Sequence, residues 1–122
     1  MWYTLSMKRI TVKFYHSASG NEPVRDWLKG LRKEDKLIIG EDIKTVEYGW
    51  PLGMPLVRKL GKDLWEVRSD ISNKEIARVL FTVTNGIMVL LHGFVKKSQK
   101  TPPNDLKISE DRRDRVLNSW EV

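Results

Sequence analysis

Apolar and polar positions alternate with a period of two early in the chain, where Ile10, Val12 and Phe14 interleave with Thr11, Lys13 and Tyr15. That period predicts a strand with one buried face. The polar run Ser17-Ala18-Ser19-Gly20-Asn21 ends it, and Pro23 then suits a first helical turn, where its missing N–H would be unpaired in any case. Val24, Trp27, Leu28 and Leu31 follow at helical spacing and predict a short amphipathic helix. A second helix is expected from about Lys33 to Tyr48, with Ile39, Ile43, Val46 and Trp50 on its apolar side. Gly40 inside it costs about 1 kcal/mol relative to Ala. The stretch from Gly49 to Pro55, with two prolines and two glycines, stops that helix.

Beyond Leu64 the period returns to two, and strands are expected over Leu64 to Ser69, Ile76 to Thr84 and Ile87 to Val95. Asn85-Gly86 joins the last two, and Asn-Gly between apolar runs is a strong hairpin signal because both central turn residues need positive φ. A two-residue turn pairs Thr84 with Ile87, Phe81 with Leu90, Val79 with His92 and Arg78 with Gly93. A preceding turn centred on Asn73 pairs Trp65 with Phe81, Val67 with Val79 and Arg68 with Arg78. One face then carries Trp65, Val67, Val79, Phe81, Leu90 and His92, and the other Glu66, Arg68, Arg78, Leu80, Val89 and Gly93. Arg58 and Lys59, between Val57 and Leu60, read as basic groups on a short extended segment entering the sheet. A last helix is expected through about Trp120, with Thr101 as N-cap, Asp105 in its acidic first turn, and Leu106, Val116, Leu117 and Trp120 buried. The order β, α, α, β, β, β, α indicates a single α+β domain in which a mainly antiparallel sheet packs against helices, residues 1–6 being an extra N-terminal segment.

Composition narrows the chemistry. The 122 residues fit one domain, and the eleven aromatics, five of them Trp, argue against disorder. The absence of cysteine removes disulfides, thiolate metal sites and thiol nucleophiles together. The start of the chain lacks a basic segment followed by an apolar one, and no apolar run approaches membrane-spanning length, so a cytoplasmic protein is expected. The formal charge of +6 is uneven: residues 1–50 carry +2, residues 51–100 carry +5 and residues 101–122 carry −1. A basic region on a near-neutral background suits a polyanionic partner, and a merely soluble basic surface is the plain alternative.

The candidate chemistry lies in that middle region. Arg68 opposite Arg78 is a repulsive pair unless an anion lies between them or Glu66 compensates. The pair is therefore either a phosphate cradle or a solvated strand face with a salt bridge, and a glycine beside it would leave backbone room. Lys96, Lys97 and Lys100 form a basic turn before a helix N-terminus, which suits an anion but equally describes a solvated loop. His92 is the strand-borne group whose intrinsic pKa suits proton transfer at neutral pH, and a buried, hydrogen-bonded structural histidine is the competing reading. No HExxH, nucleotide-binding glycine loop, GxSxG or EF-hand pattern occurs, and neither metal nor cofactor is expected.

The segments Leu60-Gly61-Lys62-Asp63-Leu64-Trp65-Glu66-Val67-Arg68, Ala77-Arg78-Val79-Leu80-Phe81 and Leu90 to Pro102, with its HGFVKK-x-QKTP run, together resemble the RelE/ParE toxin superfamily, specifically its HigB-like, phage-derived branch. Related sequences often carry a Gly between Asp70 and Glu75 and a small apolar residue at Ser109. The resemblance implies a RelE-like fold: an N-terminal strand and helical hairpin, then a curved antiparallel sheet and a C-terminal helix. It also implies the toxin of a type II toxin–antitoxin pair, a ribosome-dependent, metal-independent mRNA endoribonuclease. Under it Arg68 and Arg78 would stabilise the transition state, and Lys59 and Lys97 would bind or polarise the scissile phosphate. Arg58, Lys96 and Lys100 would hold RNA, Phe94 would stack on a base and His92 would shuttle a proton. The implied partners are mRNA on the ribosome and a cognate antitoxin of the helix-turn-helix type. Two rival activities are a non-catalytic inhibitor of DNA gyrase, as in ParE-type relatives, and a phage module that binds RNA or ribosomes without cutting.

Overall fold

The computed structural model describes residues 7–119, so the expectations for segment 1–6 and for Trp120 lie outside the described residues. The elements are β1 (Thr11–Phe14), α1 (Pro23–Lys29), α2 (Lys33–Gly49), β2 (Val57–Gly61), β3 (Leu64–Asp70), β4 (Ile76–Thr84), β5 (Ile87–Lys96) and α3 (Pro103–Ser119). Five strands form one sheet in the order β1-β5-β4-β3-β2, with β1 parallel to β5 and every other pair antiparallel. The α+β architecture is the expected one, compatible with a RelE-like fold. The basic segment at Arg58 and Lys59 is itself a strand and forms the sheet edge.

Two cores lie on opposite faces of this sheet. Under α1 and α2, Val24, Ile39, Ile43 and Val46 pack on Val57, Val67, Val79, Phe81, Met88 and Leu90. Each fully buried aliphatic side chain here contributes roughly 1.5–3 kcal/mol. Trp50 meets Trp65 edge-on at 5.0 Å between ring centroids, and Trp65 stacks on Phe81 at 5.9 Å. Under α3, Val116 and Leu106 pack with Leu64, Leu80, Val89 and Leu91. The expected burial of Leu117 does not hold, since it is 40% exposed. The inner stripe of α3 instead runs through Ser109, which is fully buried and donates to the Asp105 carbonyl at 2.9 Å.

Both tight turns behave as the residues require. Asn85 and Gly86 have φ of 50° and 74°, as the Asn-Gly hairpin demands. The β3–β4 connection, without glycine, places Asn73 and Lys74 at φ of 60° and 59°. The carboxylate of Asp35 on α2 holds this turn, accepting from the Ser72 N–H at 3.2 Å and the Ser72 hydroxyl at 3.0 Å. The pairing of Arg68 with Arg78, Val67 with Val79 and Trp65 with Phe81 is the expected register.

The β4–β5 register departs from expectation halfway along. Phe81 pairs with Leu90, but Leu80 then pairs with His92, Val79 with Gly93 and Arg78 with Phe94. Leu91 is the extra residue of a β-bulge, and everything beyond it changes face. His92 therefore shares a face with Glu66, Leu80 and Arg78, and Gly93 turns to the α1 side. The space at Gly93 is filled, because an added Cβ would lie 2.3 Å from the Trp27 ring. The Leu91 carbonyl accepts from Arg112 of α3 at 2.7 Å, so the bulge is tied to the helix. Burial lowers the Arg112 pKa, while nearby Tyr15 raises it and Arg115 lowers it further.

Candidate functional site

Adjacent strands β2, β3 and β4 bring Arg58, Glu66, Arg68 and Arg78 to one face of the sheet, through the pairs Arg58 with Glu66 and Arg68 with Arg78. The loop joining β5 to α3 crosses this face. Glu66 is fully buried, and its two oxygens accept from Arg68 Nη1 at 2.7 Å and from the Thr101 hydroxyl at 2.8 Å. An unpartnered carboxylate at that depth would cost several kcal/mol, so the pairing is a condition of folding. Thr101 is thus committed to Glu66 and does not act as the expected N-cap. The helix begins at Pro103, with the Leu106 N–H donating to the Pro102 carbonyl at 3.0 Å.

Arg68 and Arg78 face each other but have different surroundings. The Arg68 side chain is 10% exposed; Nη2 donates to the Gln99 side-chain oxygen at 2.9 Å, and Nη1 lies 3.4 Å from the Gln99 carbonyl. Arg58 Nη1 reaches the same carbonyl oxygen at 3.4 Å. Arg78 is fully buried and donates to the carbonyls of Ser98 and Lys100, the latter at 2.7 Å, with its guanidinium 5.7 Å from the Phe94 ring centroid. Burial lowers the Arg78 pKa most strongly; Glu66 opposes this, while Arg68 and Arg58 act in the same direction as burial. Of the two readings of the pair, compensation by Glu66 describes Arg68, and the chain's own loop carbonyls occupy Arg78.

The other named residues fall into three places. Lys96, the last residue of β5, and Lys97 and Lys100 of the loop that follows it are exposed. His92 Nε2 and Asp105 Oδ1 are 2.7 Å apart, with side chains 16% and 15% exposed. Phe94 is 7% exposed and packs in the α3 core, 5.8 Å from the His92 ring, which leaves little of it for a nucleobase. Lys59 pairs with Trp65 and therefore lies on the opposite face, its ammonium 5.7 Å from the Trp65 ring centroid. The structure does not bring Lys59 to the arginines.

Sequence reasoning overlooked Gln99, which receives two arginines, and the roles of Asp105 and Arg112. Arg112 was detectable, since Ser109, Arg112 and Val116 recur at helical spacing along one stripe. Asp105 became legible only with the bulge that turns His92 towards it. Among the described residues no cluster of His, Cys, Asp or Glu is placed to hold a metal ion, and no helix is long and apolar enough to cross a membrane.

The family model of phage-derived Gp49-like proteins (DUF891) matches residues 26–114, and the chain belongs to this family. That family is part of the RelE/HigB-type toxin group, and its members are commonly the toxins of toxin–antitoxin pairs, which implies a cognate antitoxin as partner. No curated protein matches the chain.

Proposed function

We propose that the protein is a HigB-like toxin that cuts mRNA on the translating ribosome, and that the loop-side face of the sheet is its RNA-binding site. The observation that supports this reading is the convergence of Arg58 and Arg68 on one oxygen of the β5–α3 loop, which presents Lys97 and Lys100 next to Lys96 at the end of β5. Cations gathered at one place favour a phosphodiester and its transition state.

The reaction needs a base to remove the proton of a ribose 2′-OH, whose oxygen attacks the adjacent phosphorus. The bond from phosphorus to the 5′-oxygen breaks, an acid protonates that oxygen, and a cyclic phosphate remains. Arg68, with Lys97 from the loop, is assigned to the phosphorane charge, and Arg58, Lys96 and Lys100 to flanking phosphates. Arg78 is assigned a positioning role, since its guanidinium fixes the loop that carries the lysines. His92 is the proton carrier: Asp105 holds Nε2, and Nδ1 has no partner among the described residues. A base oriented by a third group is the arrangement proton transfer requires. Lys59, over Trp65 on the other face, takes no phosphate in this scheme.

Purified protein added to a cell-free translation reaction, with mRNA 5′ ends mapped by primer extension, tests the reading. Discrete cuts that need ribosomes and vanish in Arg68→Ala are expected. Intact mRNA with stalled translation would replace cleavage by binding, and intact mRNA with normal translation but blocked supercoiling would point to gyrase.

A further inference from the structure

Two grooves flank the arginine cluster, and their linings differ in charge. The first, of about 340 Å³, is lined by Ile38, Pro55 and Leu56 together with Arg68, Asp42 and Asp70, so two carboxylates would repel a phosphate. The second, of about 410 Å³, opens between β2 and the β5–α3 loop. Leu60, Pro102, Pro103 and Leu106 form its apolar walls, and Arg58 and Lys100 its cationic ones. Ser98 and Thr101 complete the lining, with no carboxylate in it.

The cations of the second groove are available. A guanidinium carries five N–H donors. Among the described residues those of Arg58 make one long hydrogen bond, to the Gln99 carbonyl at 3.4 Å. The Lys100 ammonium forms no ion pair among the described residues. An apolar wall beside unspent cations, in a volume within the usual range of small-molecule sites, is complementary to a nucleotide, which has a flat, weakly hydrated base and a charged phosphate.

We propose that this groove is a nucleotide subsite, taking one base of single-stranded RNA against Leu60, Pro102, Pro103 and Leu106 and that nucleotide's phosphate on Arg58 and Lys100. The assignment rests on the reading that the loop-side face meets RNA. Because the Gln99 carbonyl lies 3.4 Å from both Arg58 and Arg68, the subsite adjoins Arg68 and holds the nucleotide next to the phosphate that Arg68 faces. Its walls thereby contribute to the choice of cut position.

The test titrates the full chain, isotopically labelled, with adenosine and cytidine 5′-monophosphates and, separately, ribose 5-phosphate and inorganic phosphate, following backbone amide shifts. Nucleotides are expected to shift Leu60, Lys100, Thr101 and Leu106 and to bind about tenfold more tightly than ribose 5-phosphate. Arg58→Ala should weaken every ligand. Pro103→Glu, which places a carboxylate where a first helical turn tolerates it, should remove the nucleotide's advantage. Equal binding of nucleotide and ribose 5-phosphate, shifts confined to the groove of Asp42 and Asp70, or no shifts at millimolar nucleotide would each overturn the subsite. The same variants in the translation reaction separate the two claims. Nucleotide binding as expected without any mRNA cut sinks cleavage and keeps the subsite. Cuts by the wild type, with Pro103→Glu unchanged in both nucleotide binding and cut positions, sink the subsite and keep cleavage.

Discussion

The face of the sheet under α1 and α2 and the part of the other face beneath the β5–α3 loop are closed by opposite means. Beneath α1 and α2 the closing groups are aliphatic and aromatic side chains from every strand of the sheet, with the indole of Trp27 packed directly over the Gly93 backbone. Beneath the β5–α3 loop the closing groups are three arginines, one buried carboxylate and the carbonyls of residues 98–100. Apolar packing supplies stability without needing any particular partner. A buried charge network supplies position: Arg68 and Arg78 are each oriented by bonds that must be present for the fold to tolerate them, while Arg58 at the sheet edge keeps most of its donors free among the described residues. The hairpin side therefore reads as scaffold and the loop side as the place where chemistry is held in register.

That contrast can be broken at its charged end first. Glu66→Ala should lower stability by about 3–5 kcal/mol, since it leaves Arg68 and Thr101 without their buried acceptor, and urea unfolding would measure it. A loss of under about 1 kcal/mol, within the range of exposed ion pairs, would mean the network is solvated and the contrast overstated. Gly93→Ala probes the apolar end. Its Cβ would meet the Trp27 ring at 2.3 Å, and about 1–3 kcal/mol of destabilisation is expected, with loosened Trp27 packing visible in near-ultraviolet circular dichroism. The smallest effect has the opposite sign. Gly40 sits in α2 with nothing within 4 Å of an added Cβ, so Gly40→Ala should stabilise by about 1 kcal/mol and raise the thermal midpoint without touching the loop side.

The contrast also explains what could be read in the sequence. Period and turn chemistry carried the elements: the helical spacing of Ile39, Ile43 and Val46, the Asn85-Gly86 hairpin and the opposition of Arg68 and Arg78 all follow from local rules. The bulge at Leu91 does not, because nothing in an apolar run marks which residue is extra, and its carbonyl is satisfied by Arg112 from a helix far along the chain. One unmarked residue moved His92 to the arginine face and Gly93 away from it. The fate of Arg78 was equally hidden, since its partners are backbone carbonyls, to which any loop sequence could contribute. Thr101 shows the same limit, as its capping signal was outcompeted by a buried carboxylate that no local window contains.

On the proposed reading RNA meets the loop side and not the helical hairpin side. The chain has no cysteine, so a single one can carry a photoreactive probe at a chosen position. Lys97→Cys on the loop and Lys44→Cys on the outer surface of α2, each labelled and bound to ribosomes programmed with mRNA, compare the two faces directly. Crosslinks to mRNA are expected from position 97 and none from position 44; crosslinks from position 44 with none from position 97 would place RNA on the hairpin side instead.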